Sequence, residues 1–423
     1  MKKHIVLLQF CEETPECEEK IQRRTAFLGQ YLSKNDCQVT WIKSGFSHDA
    51  KENLWGNSVK DLNDNFRIIH VPGIGYKHNV CVRRYIHDWI CSFQALKILK
   101  SLGDIDAIVS CIPSVGASFL VSCFAKSKGI PFILDLRDAW PDALPYALSN
   151  SLFRFLAKLA ILPDRFFLHQ ALKNATSVVS ISNDMLHWGI EKIKDLNKPT
   201  KVFYLSTTKD IRLSEEEIKT YSEKYANLLA RKTFKVFYIS RWGRVCNPMF
   251  LLCVARELLE DNIDFILCGD GDYGEQVRKE AKTLSNVFLP GFVQEKEGYF
   301  LAKHCHCGIV FISEESQDHD KNVIPSFPNK VFFQFMCGMP LINGMSGELS
   351  KIVHEKNIGL NFSNNNIDEI KKHIIFLGDN GKVRQQMGEN SRRFFEDFGN
   401  PEIVYQQYAE FVKGVVNDTY KDK

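Results

Sequence analysis

No G-x-G-x-x-G follows the first strand-like run of this sequence, where Gln9-Phe-Cys-Glu-Glu-Thr-Pro15 stands instead, and no G-x-x-x-x-G-K-[ST] occurs anywhere in it. Both patterns use glycines to let backbone amides close on phosphate, so Rossmann-type NAD enzymes and P-loop NTPases do not fit. No apolar run approaches the ~18 residues that a membrane-spanning helix needs. At the amino end Met1-Lys-Lys-His4 passes into Ile5-Val-Leu-Leu8, and Glu12 and Glu13 arrive too soon for a signal peptide. An excess of one charge is also missing: 54 lysines and arginines face 51 aspartates and glutamates, a formal net charge of +3. That balance gives no global field for nucleic acid, so any basic site must be local.

Thirteen cysteines are present, scattered singly and many inside apolar runs such as Ile266-Leu-Cys268 and Phe335-Met-Cys337. An odd number cannot all pair, and reduced, buried thiols in a cytosolic protein are the expectation. His304-Cys-His-Cys307 has no C-x2-C spacing and leads into strand-like Gly308-Ile-Val-Phe311, where neighbours point to opposite faces; zinc is not expected there.

What the chain does have is length and core: 423 residues, 44% of them hydrophobic and 12% aromatic, enough for two domains of about 200 residues each. Short β-rich runs alternate with helical patterns at His4–Phe10, Gln38–Ile42, Phe66–Val71, Ala107–Cys111, Pro131–Leu136, Ser177–Ile181 and Lys201–Leu205. The alternation stops over a polar stretch that includes the N-capped Ser214-Glu-Glu-Glu217. It resumes at Phe234–Ile239, Ile263–Cys268, Asn286–Leu289, Gly308–Ile312, Met339–Asn343 and Ile358–Phe362. Continuous apolar strands separated by helices predict an α/β protein with two doubly wound parallel sheets, each covered on both faces. The expected boundaries are a first domain over 1–205, a linker over 206–233, a second domain over 234–400 and a closing helix over 401–423, set off by Gly399-Asn-Pro401. Open parallel sheets bind ligands outside the carboxyl ends of their strands, and a cleft between the two is the expected active site.

Three strand ends carry chemistry. Leu134-Asp-Leu-Arg-Asp-Ala-Trp140 closes a buried strand with Arg137 and Asp138; the pair could hold a phosphate and a hydroxyl, or could be an ion pair. Arg241-Trp-Gly-Arg244 closes the second series' first strand, with a helix starting near Asn247-Pro248; two guanidiniums, Gly243 and a helix N-terminus are the parts of a diphosphate site, or else solvated charge on a loop. Gly269-Asp-Gly-Asp272 reads as a strand-to-helix turn rather than a metal D-x-D. Finally, Pro325-Ser-Phe-Pro-Asn-Lys330 forms a turn into a helix from about Asn329 to Cys337, whose free amides and Lys330 would cradle an anion.

The ordered set Arg24–Leu32, Val39–His48, Gly75–Val80, Leu134–Asp142, Ser180–Asn183, Gly269–Asp272, Pro290–Val293 and Phe327–Pro340 (F-P-N-K-V-F-x-x-x-M-x-G-x-P) resembles family 4 glycosyltransferases, and within them the bacterial branch that builds O-antigen, capsular and exopolysaccharide repeat units. The resemblance implies a GT-B fold of two Rossmann-like domains and metal-independent transfer with retention, using a nucleotide-sugar as substrate and no cofactor. It implies that Arg137, Asp138 and Lys330 are catalytic. Arg241, Gly243, Arg244, Gly269, Gly291, Phe292, Val293, Ser326, Phe327 and Asn329 would contact the donor. Arg24, His48, Tyr76, Asn79 and Trp140 would lie on the acceptor side. The acceptor it implies is polyprenyl-diphosphate-linked, at the inner face of the plasma membrane. Leu152–Leu162, with Arg165-Phe-Phe167, is then either an interfacial amphipathic segment or a core helix.

Three departures stand out. The family's E-x7-E pair maps to Pro325 and Phe333, which leaves Gln334, one residue out of register, as the polar group expected to reach the ribose. Glu16-Cys-Glu-Glu-Lys20 replaces the glycine-rich first loop, and Cys246-Asn-Pro248 stands where a lysine usually follows the diphosphate-loop arginine. Lys330 is expected to supply that missing cation. A sugar-nucleotide 2-epimerase and a non-catalytic subunit supporting a partner transferase are the alternatives.

Overall fold

The computed structural model describes residues 2–14, 23–148, 150–193, 197–312, 327–363 and 366–421. The chain divides into two compact units, one built mainly from residues up to Tyr204 and completed by Pro401–Lys423, the other spanning Leu205–Lys321 and Phe327–Asn400.

The first unit begins with β1 (Lys3–Leu8), α1 (Arg24–Lys34), β2 (Cys37–Ser44), the hairpin β3 (Phe46–Ser47) and β4 (Glu52–Asn53), then β5 (Val59–Asn63) and β6 (Phe66–Val71). It continues with α2 (Val82–Ser101), β7 (Ala107–Ile112), α3 (Val115–Lys128), β8 (Phe132–Leu136), α4 (Ser151–Ala160), α5 (Leu162–Asn174), β9 (Ser177–Ser180), α6 (Asn183–Ile190) and β10 (Thr200–Val202). Its main sheet runs β10-β9-β8-β7-β1-β2-β6-β5. Every pairing in it is parallel except β5 with β6. The inner strands are mainly apolar and buried, as β7 shows with all six residues buried, because helices cover both faces. β5 is the exception that sequence missed: Val59-Lys-Asp-Leu-Asn63 is mostly exposed and polar, the composition of a guarded edge.

The second unit holds α7 (Glu215–Lys224), α8 (Ala226–Leu229), β11 (Phe234–Ile239), α9 (Met249–Glu257), β12 (Ile263–Cys268), α10 (Gly274–Ala281), β13 (Val287–Gly291), α11 (Glu295–Lys303) and β14 (Cys307–Val310). After it come α12 (Asn329–Met336), β15 (Leu341–Asn343), α13 (Glu348–Glu355), β16 (Gly359–Asn361), α14 (Ile367–Asp379) and α15 (Gly381–Phe398). Its sheet runs β13-β12-β11-β14-β15-β16, parallel throughout. The stretch expected as a linker belongs to this unit. Ser214 and Glu217 close a capping box on α7, and Lys224 and Tyr225 both donate to the buried Glu297 of α11 at 2.6 Å.

The last helix, α16 (Pro401–Lys421), packs in the first unit. Val404, Tyr405, Tyr408, Ala409 and Val412 share a core with Phe27, Leu28 and Phe203. Phe27 stacks on Tyr405 with ring centroids 4.9 Å apart, and Phe203 on Tyr408 at 4.5 Å.

α4 does not join a core. Asn150 caps it by accepting from Leu152 N at 2.8 Å, yet only Ala157 is buried, while Leu152, Phe153, Phe155, Leu156 and Leu159 face solvent. The core-helix alternative for this segment is therefore excluded.

Candidate functional site

In the second unit the relevant groups gather at the carboxyl ends of β11, β12 and β13, which are neighbours in the sheet. The loop leaving β11 lies against the loop leaving β12: Ser240 N donates to Cys268 O at 3.0 Å and Trp242 N to Asp270 O at 2.9 Å. This closeness dictates the glycines. A Cβ on Gly269 would fall 1.9 Å from Ser240 O, and one on Gly271 2.2 Å from Trp242 O; both have φ values only glycine adopts readily. Asp270 pairs with Arg278 at 3.0 Å and accepts from Gly271 N, as a turn would have it. Trp242 is buried and anchors the loop, which leaves Arg241 exposed and Gly243 and Arg244 half-buried beside it. At the end of β13, Gly291 turns with φ 80° and sets Phe292 out in solvent, 82% exposed, while Val293 is buried.

Lys330 joins this group from α12. Its Nζ donates to Ser240 Oγ at 3.2 Å, lies 3.2 Å from Cys246 Sγ and stands over the Tyr238 ring at 5.5 Å. The ammonium thus meets the β11 exit beside Cys246, the place where it was expected to stand in for a lysine. Among the described residues no side chain caps the amides at the start of α12, beside Lys330, and amides and a cation so arranged suit an anion. Asn329 is exposed there. Phe327 is buried against Phe332, ring centroids 5.1 Å apart, so only its backbone could meet a ligand. Ser326 and Pro325 lie outside the described residues.

Gln334 requires a correction. It is 0% exposed, its Nε2 donates to Ile309 O at 3.3 Å, and its Oε1 packs where a Cβ on Gly308 would meet it at 2.1 Å. One turn on from Lys330, its amide is packed against Ile309 and Gly308 of β14 and sealed from solvent, so it is not presented to a ribose.

In the first unit Arg24 at the start of α1 and Arg137 after β8 are tied into one network. Arg24 is buried and donates to both oxygens of Asp135, at 2.8 and 3.0 Å, with Tyr408 under its guanidinium. Arg137 donates to Asp135 at 2.9 Å, to Glu12 at 2.9 Å and to Thr25 Oγ1 at 2.9 Å. Glu12, which sequence reasoning did not single out, also accepts from Thr25 N and Ala26 N at 2.8 and 3.0 Å, filling the start of α1 with a carboxylate. Burial alone would push the Asp135 carboxyl up; Arg24 and Arg137 outweigh it and hold it below the usual carboxylate range. All three guanidinium nitrogens of Arg24 bond inside this buried network, which withholds it from an acceptor, and the half-buried Arg137 joins the network through Nε and Nη1. Asp138, next along, is exposed.

The remaining acceptor-side residues partly converge. His48 Nδ1 and Tyr76 OH are 2.6 Å apart, Lys51 Nζ donates to Asn79 Oδ1 at 2.5 Å, and Arg84 donates to Asn79 O at 2.7 Å. Burial, helped by Lys51 and Arg84, lowers the His48 pKa to about 4. Trp140 lies elsewhere, at the mouth of β8, among Tyr85, Asp88, Trp89 and Asp164. Those four were not read from the sequence; the i, i+4 spacing of Arg84 and Asp88 was the available signal, and the two do lie 3.8 Å apart. In the His304–Cys307 stretch, His306 Nδ1 accepts from Lys235 N at 2.8 Å and His304 bonds Phe300 O, so both rings serve the fold.

Two parallel-sheet α/β units, each with loops at its strand ends, fit the GT-B fold, and comparisons with known proteins point the same way. Residues 222–394, almost all of them in the second unit, match the family model for glycosyl transferases group 1. An uncharacterized glycosyltransferase of Methanocaldococcus jannaschii is 22% identical over 265 residues, 62% of this chain and 64% of that protein. The chain thus spans just under two thirds of the length of this curated relative. Among solved structures, sucrose-phosphate synthase of Thermosynechococcus elongatus is similar with a TM-score of 0.70, at 13% identity over 99% of this chain and 100% of that one. Anabaena HepE in complex with UDP-glucose is similar with a TM-score of 0.62, at 14% identity over 97% and 99%.

Proposed function

We propose that this enzyme moves a sugar from a nucleoside diphosphate donor to a lipid-linked saccharide, with retention and without a metal, in surface polysaccharide biosynthesis. The second unit receives the donor and the first the acceptor. The observation that carries the reading is the meeting of Lys330 with the Ser240–Arg244 loop at the start of α12, which no described side chain caps. A departing nucleoside diphosphate gains negative charge as the glycosidic bond breaks, and fixed cations and helix amides stabilise that charge without reorganising. In this reading Arg241, Arg244 and Lys330 fill this role, Phe292 offers a face to the base, and the exposed Asp138 accepts from an acceptor hydroxyl. The UDP-glucose complex of HepE makes uridine donors the first to try.

The lipid-linked acceptor is supported by α4. Its exposed Leu152, Phe153, Phe155, Leu156 and Leu159, with Arg154 and Lys158 beside them, are the composition of a helix lying in an anionic bilayer surface. Among the described residues no helix is long and apolar enough to cross a membrane. The test is nucleoside diphosphate release from uridine, guanosine, cytidine and thymidine diphosphate sugars, with polyprenyl-diphosphate saccharides as acceptors and a chelator present. Product with a retained anomeric configuration is expected for one donor; product from donor alone, an epimerised sugar nucleotide, would overturn transfer in favour of isomerisation.

A further inference from the structure

Among the described residues no carboxylate pairs with Lys330. Its half-buried ammonium meets instead a hydroxyl, a thiol and an aromatic ring: Ser240 Oγ at 3.2 Å, Cys246 Sγ at 3.2 Å and the Tyr238 ring at 5.5 Å from its centroid. All three belong to one short run of chain that leaves β11 and carries Arg241 and Arg244. That run is itself fixed. Tyr238 is fully buried, stacks on Phe311 with ring centroids 5.4 Å apart and sends its hydroxyl to Cys246 O at 3.4 Å. Ser240 N donates to Cys268 O at the end of β12, 3.0 Å away.

What such surroundings do follows from the chemistry of lysine. The ammonium sits on a flexible four-carbon stem, so it serves a ligand in a fixed geometry only where something else holds it. A carboxylate would hold it and offset its charge; a hydroxyl holds it and leaves the charge for an incoming anion. Ser240 is the group suited to this, because its hydroxyl is used in both senses. The oxygen accepts from Lys330, and its own proton goes to Arg241 O at 3.3 Å. Hydrogen bonds in such a chain polarise one another. The chain also ties the cation of α12 to the backbone that bears the Arg241 guanidinium. By contrast, the Cys246 thiol is a weak acceptor, and the Tyr238 ring acts at longer range.

We infer that Ser240 is a positioning residue of the donor site, holding the Lys330 ammonium beside the Arg241 loop so that both cations meet one diphosphate. The inference rests on the transferase reading, in which that diphosphate belongs to the donor. It gives Ser240 no contact with the donor: the serine acts through Lys330.

The test is a double-mutant cycle, read by titration calorimetry on the full chain with uridine, guanosine, cytidine and thymidine diphosphate. One of the four is expected to bind wild-type protein. Ser240→Ala is expected to weaken that binding about fivefold, the worth of one hydrogen bond, and Ser240→Thr, which keeps the hydroxyl, is expected to restore most of it. Lys330→Ala weakens binding further, and Ser240→Ala placed on top of it adds nothing, since a residue that acts through another has no effect once the other is gone. A serine that merely supported the loop would cost the same with or without Lys330. That additive result, or Ser240→Ala protein that binds as tightly as wild type, or an equal loss in Ser240→Thr, would overturn the role of Ser240 alone. Wild-type protein that binds none of the four nucleoside diphosphates would overturn the transferase reading and this inference with it.

Discussion

Lys330 and Gln334 sit one helical turn apart on α12 and have opposite fates. Lys330 reaches Ser240 and the loop of Arg241, so Lys330→Ala is expected to lower kcat about 100-fold, the usual loss of one donor to a developing charge. Unchanged turnover and nucleotide affinity would remove Lys330 from the mechanism. Gln334 is sealed under β14 with one orphan oxygen. Gln334→Met should leave donor KM unchanged and alter stability by no more than about 1 kcal/mol, because an unsatisfied oxygen leaves with the amide. A raised donor KM would restore Gln334 to the site. The Arg24–Asp135–Arg137–Glu12 network behaves differently, since its charges are fully committed. Arg24→Met strands Asp135 with one partner, and urea denaturation is expected to show a loss of about 3 kcal/mol.

At the scale of elements, the parallel strands were legible because burial on both faces writes long apolar runs: β11 and β12 fall where the sequence placed them. β5 escaped because an edge strand is defined by its partner and not by its composition. α4 shows a subtler limit. An apolar stripe at helical spacing says that a face needs covering, not whether protein or lipid covers it. The site was half legible for a related reason: strand-end arginines look alike in sequence, but Arg241 points to solvent while Arg137 is consumed by Asp135 and Glu12, residues near it only in space. For α4 itself, Leu156→Asp with Leu159→Asp should abolish flotation with anionic liposomes while shifting stability by less than about 1 kcal/mol, since both side chains are already exposed. Flotation equal to wild type would remove the membrane from the account.

At the scale of the whole molecule, acid should act first on one unit. His48, His70 and His87 all lie in the first unit, and burial, reinforced by nearby cations, lowers each pKa to about 4 from an ordinary 6.5. Unfolding frees these rings to take up protons, so their stabilisation is complete above pH ~6.5 and is lost as pH falls toward 4. Asp88, raised to about 6 mainly by burial, opposes them below that pH, as do Asp138 and Asp164, also raised by burial, while Asp135 and Asp142, held low by their cationic partners, add to the loss. The urea midpoint of the first unit is expected to fall steeply between pH ~6.5 and ~4.5, and less steeply in His70→Gln; a flat profile would mean that the rings are not sequestered in solution.

The packing of α16 into the first core has a consequence for biosynthesis. Phe27 and Phe203 emerge from the ribosome long before Tyr405 and Tyr408, whose rings they stack against. The second unit, complete by Asn400, can close while the first still exposes a greasy furrow along α1. The nascent chain is therefore most in need of a chaperone at its earliest-made half, and a nonsense codon just after Asn400 should send that half, rather than the later one, to the protease.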